Sequence, residues 1–221
     1  MNDAVHFYSQ SAGRWEANYK KKGFSARKDI LDELLTAFLL AGQNWLDAGC
    51  GTGTLARFLA EHKRCNVLGV DASAAMIANC VPAPNTEFQQ IRDICETGLP
   101  DGTFDGVLCS SVLEYLSEPH AALVELRRVL KPNGLLLISV PNAHPIARWP
   151  TVIVYRLTKP LGRYRQNPFL DHSKQSYSES GFRRLLDGCG FRVEAARKFG
   201  GPFGFPILGH GTLMMFRAVK L

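Results

Sequence analysis

Apolar residues recur at Ile30, Leu31, Leu34, Leu35, Phe38 and Leu39, the three-and-four spacing of one helix face, and Gly42 supplies a stop. The pattern predicts a helix over 26–41. A short apolar run, Trp45-Leu46, leads into a glycine-rich stretch over 48–54. Leu55, Phe58 and Leu59 then return to helical spacing over 54–62, and 66–70 reads as a buried strand ending at Asp71. Downstream, 73–79 reads as a short helix, 87–91 as a strand ending near Asp93, and 104–109 as another strand. Ser117 is placed to cap the next helix, with Pro119 in its first turn and Leu123, Leu126, Val129 and Leu130 facing inward. Lys131-Pro132-Asn133-Gly134 is a turn signal, and the nearly continuous apolar run 135–140 fits a strand covered on both faces.

Strands alternating with helices across short turns predict right-handed βαβ units and a parallel sheet. The alternation breaks after Pro141. Residues 142–177 mix prolines and aromatics with Arg148, Arg156, Lys159, Arg163, Arg165 and Lys174. Order returns at Ser178, a candidate cap for a helix through Phe182, Leu185 and Leu186. Residues 191–195 and 213–219 read as closing strands around a Gly/Pro-rich loop over 200–211, most simply an antiparallel pair at one edge.

Composition narrows the class. With 221 residues the chain is long enough for one sizeable core and too short for two full catalytic domains. No apolar run reaches the roughly 18 residues of a membrane span. The first residues lack the basic-then-apolar order of a secretory signal, so the cytosol is the expected compartment. The net charge of +6 suits an acidic small molecule, an anionic lipid surface or nucleic acid, but the basic residues are spread along the chain, which favours a solvated basic surface. The six cysteines form no Cys-x-x-Cys pair and no zinc-type spacing with histidine. They are expected to be reduced structural thiols, and no metal is expected.

The informative chemistry lies in Trp45-Leu46-Asp47-Ala48-Gly49-Cys50-Gly51-Thr52-Gly53-Thr54-Leu55. Glycines between a strand and a helix let the backbone approach a ligand at the carboxyl end of the sheet. A dinucleotide fingerprint G-x-G-x-x-G requires a third glycine where Thr54 stands. Asp47, just before the glycines, would repel a pyrophosphate but suits a cation. S-adenosylmethionine (SAM) carries an α-ammonium and a sulfonium and has no phosphate.

This segment resembles the first motif of class I SAM-dependent methyltransferases, and the family's order of motifs continues to about Val140. Val67-Leu68-Gly69-Val70-Asp71-Ala72-Ser73-Ala74-Ala75-Met76 resembles its second strand and ribose-binding acid. Asp93-Ile94 resembles the adenine position, and Leu99 to Val107 the run into the fourth strand. Ser110 to Tyr115 resembles the motif beside the methionine portion, and Leu126 to Gly134 with Ser139 to Asn142 completes the match. The resemblance implies an α/β, Rossmann-like, doubly wound and mostly parallel seven-stranded sheet. Its last strand is antiparallel, helices cover both faces, and a cap is inserted after the fifth strand. The expected parts are an N-terminal helical lid over 1–42, a SAM-binding core over 43–141, a substrate-side cap over 142–177, and a C-terminal helix with closing strands over 178–221.

For the site, the resemblance implies cofactor contacts from Asp47, Gly49, Cys50, Gly51, Gly53, Asp71, Ala72, Met76, Asp93, Ile94 and Ser110. Asp47 would otherwise satisfy loop amides. Tyr8, Trp15 and Tyr19 either close a lid over SAM, with Tyr19 on the cofactor, or lie on one face of a helix packed on the domain. Tyr115, His144 and Trp149 are expected on the acceptor side. Among His144, His172 and His210, the run Asp171-His172-Ser173 supplies the candidate general base, the alternative being a loop histidine that only holds backbone. The expected reaction is methyl transfer from SAM to a small-molecule acceptor by direct displacement, with S-adenosylhomocysteine (SAH) as product and O-methylation slightly favoured. The aromatic and basic make-up of 142–177 suits an acceptor with an apolar body and negative charge, an approach to a lipid surface, or an ordinary cap packed inward. A nucleic-acid substrate is not expected, because no base-flipping motif is present. Two rivals are a nicotinamide-dependent oxidoreductase and a non-catalytic protein of the same fold.

Overall fold

The computed structural model describes residues 3–20, 22–38, 40–144, 153, 172–200 and 211–221 of the chain. Helix α1 (Asp3–Trp15), a 3-10 helix (Glu16–Lys20) and helix α2 (Lys22–Leu35) precede the sheet. Then follow β1 (Asn44–Ala48), α3 (Thr54–Lys63), β2 (Asn66–Asp71), α4 (Ala74–Ala78), β3 (Thr86–Gln90) and β4 (Phe104–Ser110). The chain continues through α5 (Pro119–Val129), β5 (Leu130–Pro141), α6 (Glu179–Gly188), β6 (Phe191–Phe199) and β7 (Leu213–Lys220).

These strands form a seven-stranded sheet in the order β3-β2-β1-β4-β5-β7-β6. β1 to β5 pair in parallel, and β7 runs antiparallel to both β5 and β6. The expected seven strands and the single antiparallel strand are therefore present, with β7 inserted beside β5 and β6 left at the edge. The chain winds outward from β1 to β3 and then returns to β4 on the other side of β1. In open sheets of this kind, the crevice at such a reversal is where ligands bind.

Period-two alternation along the strands sorts side chains onto two faces. Trp45, Val67, Leu108, Leu137 and Met215 pack against Leu31, Leu34 and Leu35 of α2 and Leu55, Phe58 and Leu59 of α3. Leu46, Val70, Val107, Leu136 and Phe216 pack on the opposite face against Leu123 and Leu126 of α5 and Phe182 and Leu186 of α6. Helices thus cover both faces, which is why the strands read as apolar runs.

Three local expectations are corrected. The helix predicted over 26–41 ends at Leu35, because Thr36 and Phe38 donate to carbonyls three residues back and the Thr36 hydroxyl takes the Asp32 carbonyl at 2.7 Å. Phe38 continues the apolar spacing as a turn residue packed beneath the Arg217 guanidinium, and Leu39 lies outside the described residues. Ser117 does not cap α5; Glu118 holds that position without a side-chain bond, and the Ser117 hydroxyl accepts from Lys174 Nζ at 3.0 Å. The Lys131–Gly134 turn is a bulge within β5: pairing passes from Phe104 opposite Leu130 to Gly106 opposite Leu135. Asn133, at φ 60°, takes the left-handed conformation that lets the strand resume. Ser178 caps α6 as expected, accepting from the Gly181 amide at 3.1 Å.

Candidate functional site

β1 ends at Ala48 and the chain turns through the glycine-rich loop into α3. The amides of Gly49 and Cys50 both donate to the Val70 carbonyl, at 2.8 and 3.0 Å, which fastens the loop to the end of β2. Gly49 has φ 79°, and a Cβ there would lie 2.3 Å from Val112 Cγ2. Gly51 has φ 55°, and its Cβ position would lie 3.4 Å from the Trp15 indole nitrogen, so the end of α1 stands directly over the loop.

Two carboxylates frame this loop. Asp47 is 1% exposed and interacts with the Ala56 amide in the first turn of α3, a helix whose cap residue, Gly53, offers no side chain. Asp47 Oδ2 is buried and has no hydrogen-bond partner among the described residues. Burial first, and the charge of Asp71 second, push the Asp47 carboxyl up to about 7, with the Ala56 amide opposing. Asp71 ends β2. Its Oδ2 accepts from the Gly51 amide at 2.9 Å and its Oδ1 from the Ser73 amide at 2.8 Å. Burial raises its pKa, against the pull of those amides.

The other expected cofactor positions fall around the same edge. Met76 is buried on α4, and the half-buried Ala72 has its carbonyl held by Gln90 Nε2 at 3.2 Å. Ile94 is buried in the core, while Asp93 is exposed and accepts from the Cys95 amide at 2.9 Å. Ser110 ends β4, its hydroxyl 3.1 Å from that of the buried Ser139. Tyr19 is half-buried in the 3-10 helix, and burial pushes its hydroxyl up to about 12; Arg27 and Asp47 exert opposite secondary influences on it.

The N-terminal aromatics converge with the post-β4 segment. Tyr8 meets Trp15 edge-on at 5.1 Å between centroids and Tyr115 at 5.3 Å, and Phe7 lies 4.7 Å from the His172 ring. Tyr8 and Trp15 share α1, whereas Tyr19 belongs to the next helix, so no single helical face carries all three. Ser9 ties α1 to Ser73 at 2.8 Å between hydroxyls. Tyr115 and His172 are thus brought to one place. His144 is exposed at the end of β5, its amide donating to Asn142 Oδ1 at 3.0 Å. Trp149, His210 and most of the 142–177 cap lie outside the described residues.

Arg27 is a candidate that the sequence pattern passed over. It is only 7% exposed, and its Nη2 donates to the Ser111 hydroxyl at 3.1 Å. Ser111 follows β4 at φ 58°, with its amide on the Ser139 carbonyl at 3.2 Å. The available signal was position: Arg27 precedes Ile30 and Leu31 by three and four residues, so it falls on the apolar face of α2. A charge there is rarely buried without a polar task. Among the described residues, no group of three or more His, Cys, Asp or Glu side chains has the arrangement of a metal site. No helix among them is long and apolar enough to cross a membrane.

A family model described as a methyltransferase domain matches residues 19–196. A ubiquinone biosynthesis O-methyltransferase of Coxiella burnetii is 32% identical over 162 residues, covering 68% of this chain and 68% of that protein. A trans-aconitate 2-methyltransferase of Deinococcus radiodurans is 32% identical over 150 residues, covering 66% of this chain and 57% of its own length. The chain matches 63%, 57% and 50% of the lengths of the relatives from Mycolicibacterium smegmatis, Deinococcus radiodurans and Serratia marcescens. Among solved structures, a magnesium protoporphyrin IX methyltransferase from Synechocystis PCC 6803 with bound SAH superposes with a TM-score of 0.71 at 22% identity, covering 98% of this chain and 97% of that one. That likeness shows the fold, and the family match is carried by the sequence. The chain belongs to the class I SAM-dependent methyltransferases.

Proposed function

We propose that this protein transfers a methyl group from SAM to a small-molecule acceptor, with a hydroxyl oxygen favoured as the receiving atom. The observation that carries the cofactor reading is the pair of buried ionisable groups at the crevice. Asp47 presents a buried carboxylate oxygen with no partner among the described residues, and Arg27 brings a buried guanidinium to the adjoining strand end. An α-amino acid end, with its ammonium and carboxylate, complements that pair; a pyrophosphate does not. The glycine loop supports the same fit, since a side chain at Gly49 would collide with Val112. Asp71 is assigned to the ribose hydroxyls, Met76 and Ile94 to the faces of the adenine, and Ser110 and Tyr19 to the methionine end.

SAM supplies an electrophilic methyl carbon on a sulfonium that leaves readily. The protein's own task is therefore alignment of the acceptor and exclusion of water. α1 acts as a lid through Tyr8 and Trp15, and Tyr115 and His172 face the acceptor from beneath it. The 142–177 cap, with Trp149 and its arginines, suits an acceptor with an apolar body and negative charge. Relatives named for ubiquinone biosynthesis and trans-aconitate methylation support a small organic acceptor without identifying it.

His172 is proposed as the base that takes the acceptor's proton. Because the leaving group is good, the expected loss in His172→Ala is only about tenfold in kcat, below the usual range for general-base removal. SAH affinity should be unchanged, and the loss should shrink for acceptors already ionised at the assay pH. An equal loss for all acceptors would remove the base role. The test of the function itself is methyl transfer from radiolabelled SAM to a panel of phenols, hydroxy acids, carboxylates and amines. Turnover of phenolic or acidic members supports the reading; SAH binding with no turnover on any class supports a non-catalytic role.

The elevated Asp47 carboxyl predicts a pH dependence. Without ligand it holds a proton up to about pH 7, whereas an ammonium ligand favours the ionised form. SAH affinity should therefore rise about tenfold or more between pH 5.5 and 7.5, with proton release on binding, and Asp47→Asn should flatten that slope. For the cofactor-free protein the sign is opposite. A carboxyl whose folded pKa exceeds its unfolded value contributes stability at low pH that is lost as pH rises from about 4 through about 7. Calorimetric titration across this range checks the first effect, and a flat profile in the unmodified protein contradicts the Asp47 assignment.

A further inference from the structure

Cys50 in the glycine loop and Cys80 just beyond α4 meet beneath the cofactor crevice. Both sulfurs lie within hydrogen-bond reach of one acceptor, the Gly51 carbonyl, at 3.6 Å and 3.4 Å, and of each other, and Cys80 Sγ also lies 3.6 Å from the Met76 carbonyl. Cys80 is half-buried, while Cys50 is 9% exposed, so the pair has an outer and an inner sulfur. Their position is mechanically sensitive, because the Gly51 amide donates to Asp71 Oδ2. One residue, Gly51, thus joins both thiols, through its carbonyl, to the acid assigned to the ribose, through its amide.

The pair also differs electronically from the other cysteines. Burial pushes up Cys65, Cys95, Cys109 and Cys189. The Cys50 thiol instead holds Cys80 below its ordinary range, while Cys50 itself is pushed up by the same bond and by burial. A half-buried sulfur in contact with a buried one is the arrangement of an attacking and a resolving thiol.

We propose that Cys50 and Cys80 form an oxidation site that closes a disulfide beneath the cofactor loop when the protein meets a hydroperoxide. The Cys80 thiolate attacks the peroxide, forming an S–O bond and breaking the O–O bond; the departing hydroxide or alkoxide takes up a proton. The Cys50 sulfur then attacks Cys80 Sγ, forming the S–S bond as the S–O bond breaks and the second oxygen leaves as water with the Cys50 proton. Two thiols lose two electrons and the hydroperoxide gains them. The disulfide removes both S–H donors from the Gly51 carbonyl and ties the loop to the end of α4. Gly51 shifts with the two peptide units that flank it, and its amide's clamp on Asp71 is lost.

The test exposes the cofactor-free full chain to equimolar hydrogen peroxide, maps its peptides without reduction, and titrates SAH before treatment, after it, and after dithiothreitol. The expected results are a Cys50–Cys80 cross-link, SAH binding weakened about tenfold or more, and recovery on reduction. Cys80→Ser, with Cys80→Ala as a second variant, should keep the reduced protein's affinity after the same treatment. Unreacted Cys50 and Cys80 thiols in the folded protein, a cross-link between other cysteines, or a Cys50–Cys80 disulfide with unchanged SAH affinity would each overturn the proposal. The cross-link is read by mass, so its absence is distinguishable from a failure to bind SAH.

Discussion

Asp71→Ala is expected to weaken SAH binding by roughly two to four orders of magnitude. The Asp71 oxygens already accept from the Gly51 and Ser73 amides, with the Ala72 amide as a further partner, and a carboxylate keeps lone-pair capacity beyond these. Two ribose hydroxyls donating to that carboxylate, as proposed, would contribute about 1.5–3 kcal/mol each. Every 1.4 kcal/mol or so is tenfold in affinity, so losing both gives the stated range. The substitution also releases the Gly51 amide and with it the loop. Adenosine, which keeps the ribose and lacks the amino acid, should weaken by a similar factor. Calorimetric titration of both ligands checks this, and a change below about threefold for either would remove Asp71 from the ribose site.

Arg27→Gln is expected to separate the same two ligands. SAH should bind about 30- to 100-fold more weakly, because the proposed charge-assisted contact to its carboxylate would be replaced by a neutral one in a buried setting. Adenosine has no carboxylate and should bind within about twofold of the unmodified protein. Arg27→Lys should recover part of the loss, since it keeps the charge without the planar fork. Equal weakening of adenosine and SAH would mean that Arg27 supports the fold through Ser111 and touches no ligand. Thermal unfolding of the variant, followed alongside, distinguishes these outcomes.

The alternation of strands and helices was legible because the sheet is covered on both faces. Runs such as Leu135–Val140 and Val67–Val70 carry the apolar character of doubly buried strands. The loop was legible because its glycines and Asp47 perform local tasks: a left-handed turn, a close approach and a carboxyl at the first turn of α3. What escaped depends on contacts between distant segments. Arg27 falls on the apolar face of α2, but its polar task is invisible until α2 docks with that face on the sheet and sets its guanidinium on Ser111, 84 positions later. The Lys131–Gly134 run has the chemistry of a turn but is absorbed as a bulge, because β4 supplies Phe104 and Gly106 as partners on either side. Likewise, Cys50 and Cys80 read as separate small hydrophobes, and only the path of α4 over the loop brings their sulfurs to one carbonyl.

The measurement that bears most directly on the cofactor assignment is calorimetric titration of the unmodified protein with SAM, SAH and NADH in one buffer near pH 7.5. Micromolar binding of SAM and SAH at one site per chain, with no heat from NADH, is the predicted result. Binding of NADH with neither SAM nor SAH bound would contradict the reading of Asp47, Asp71 and Arg27 as a site for an adenosyl amino acid.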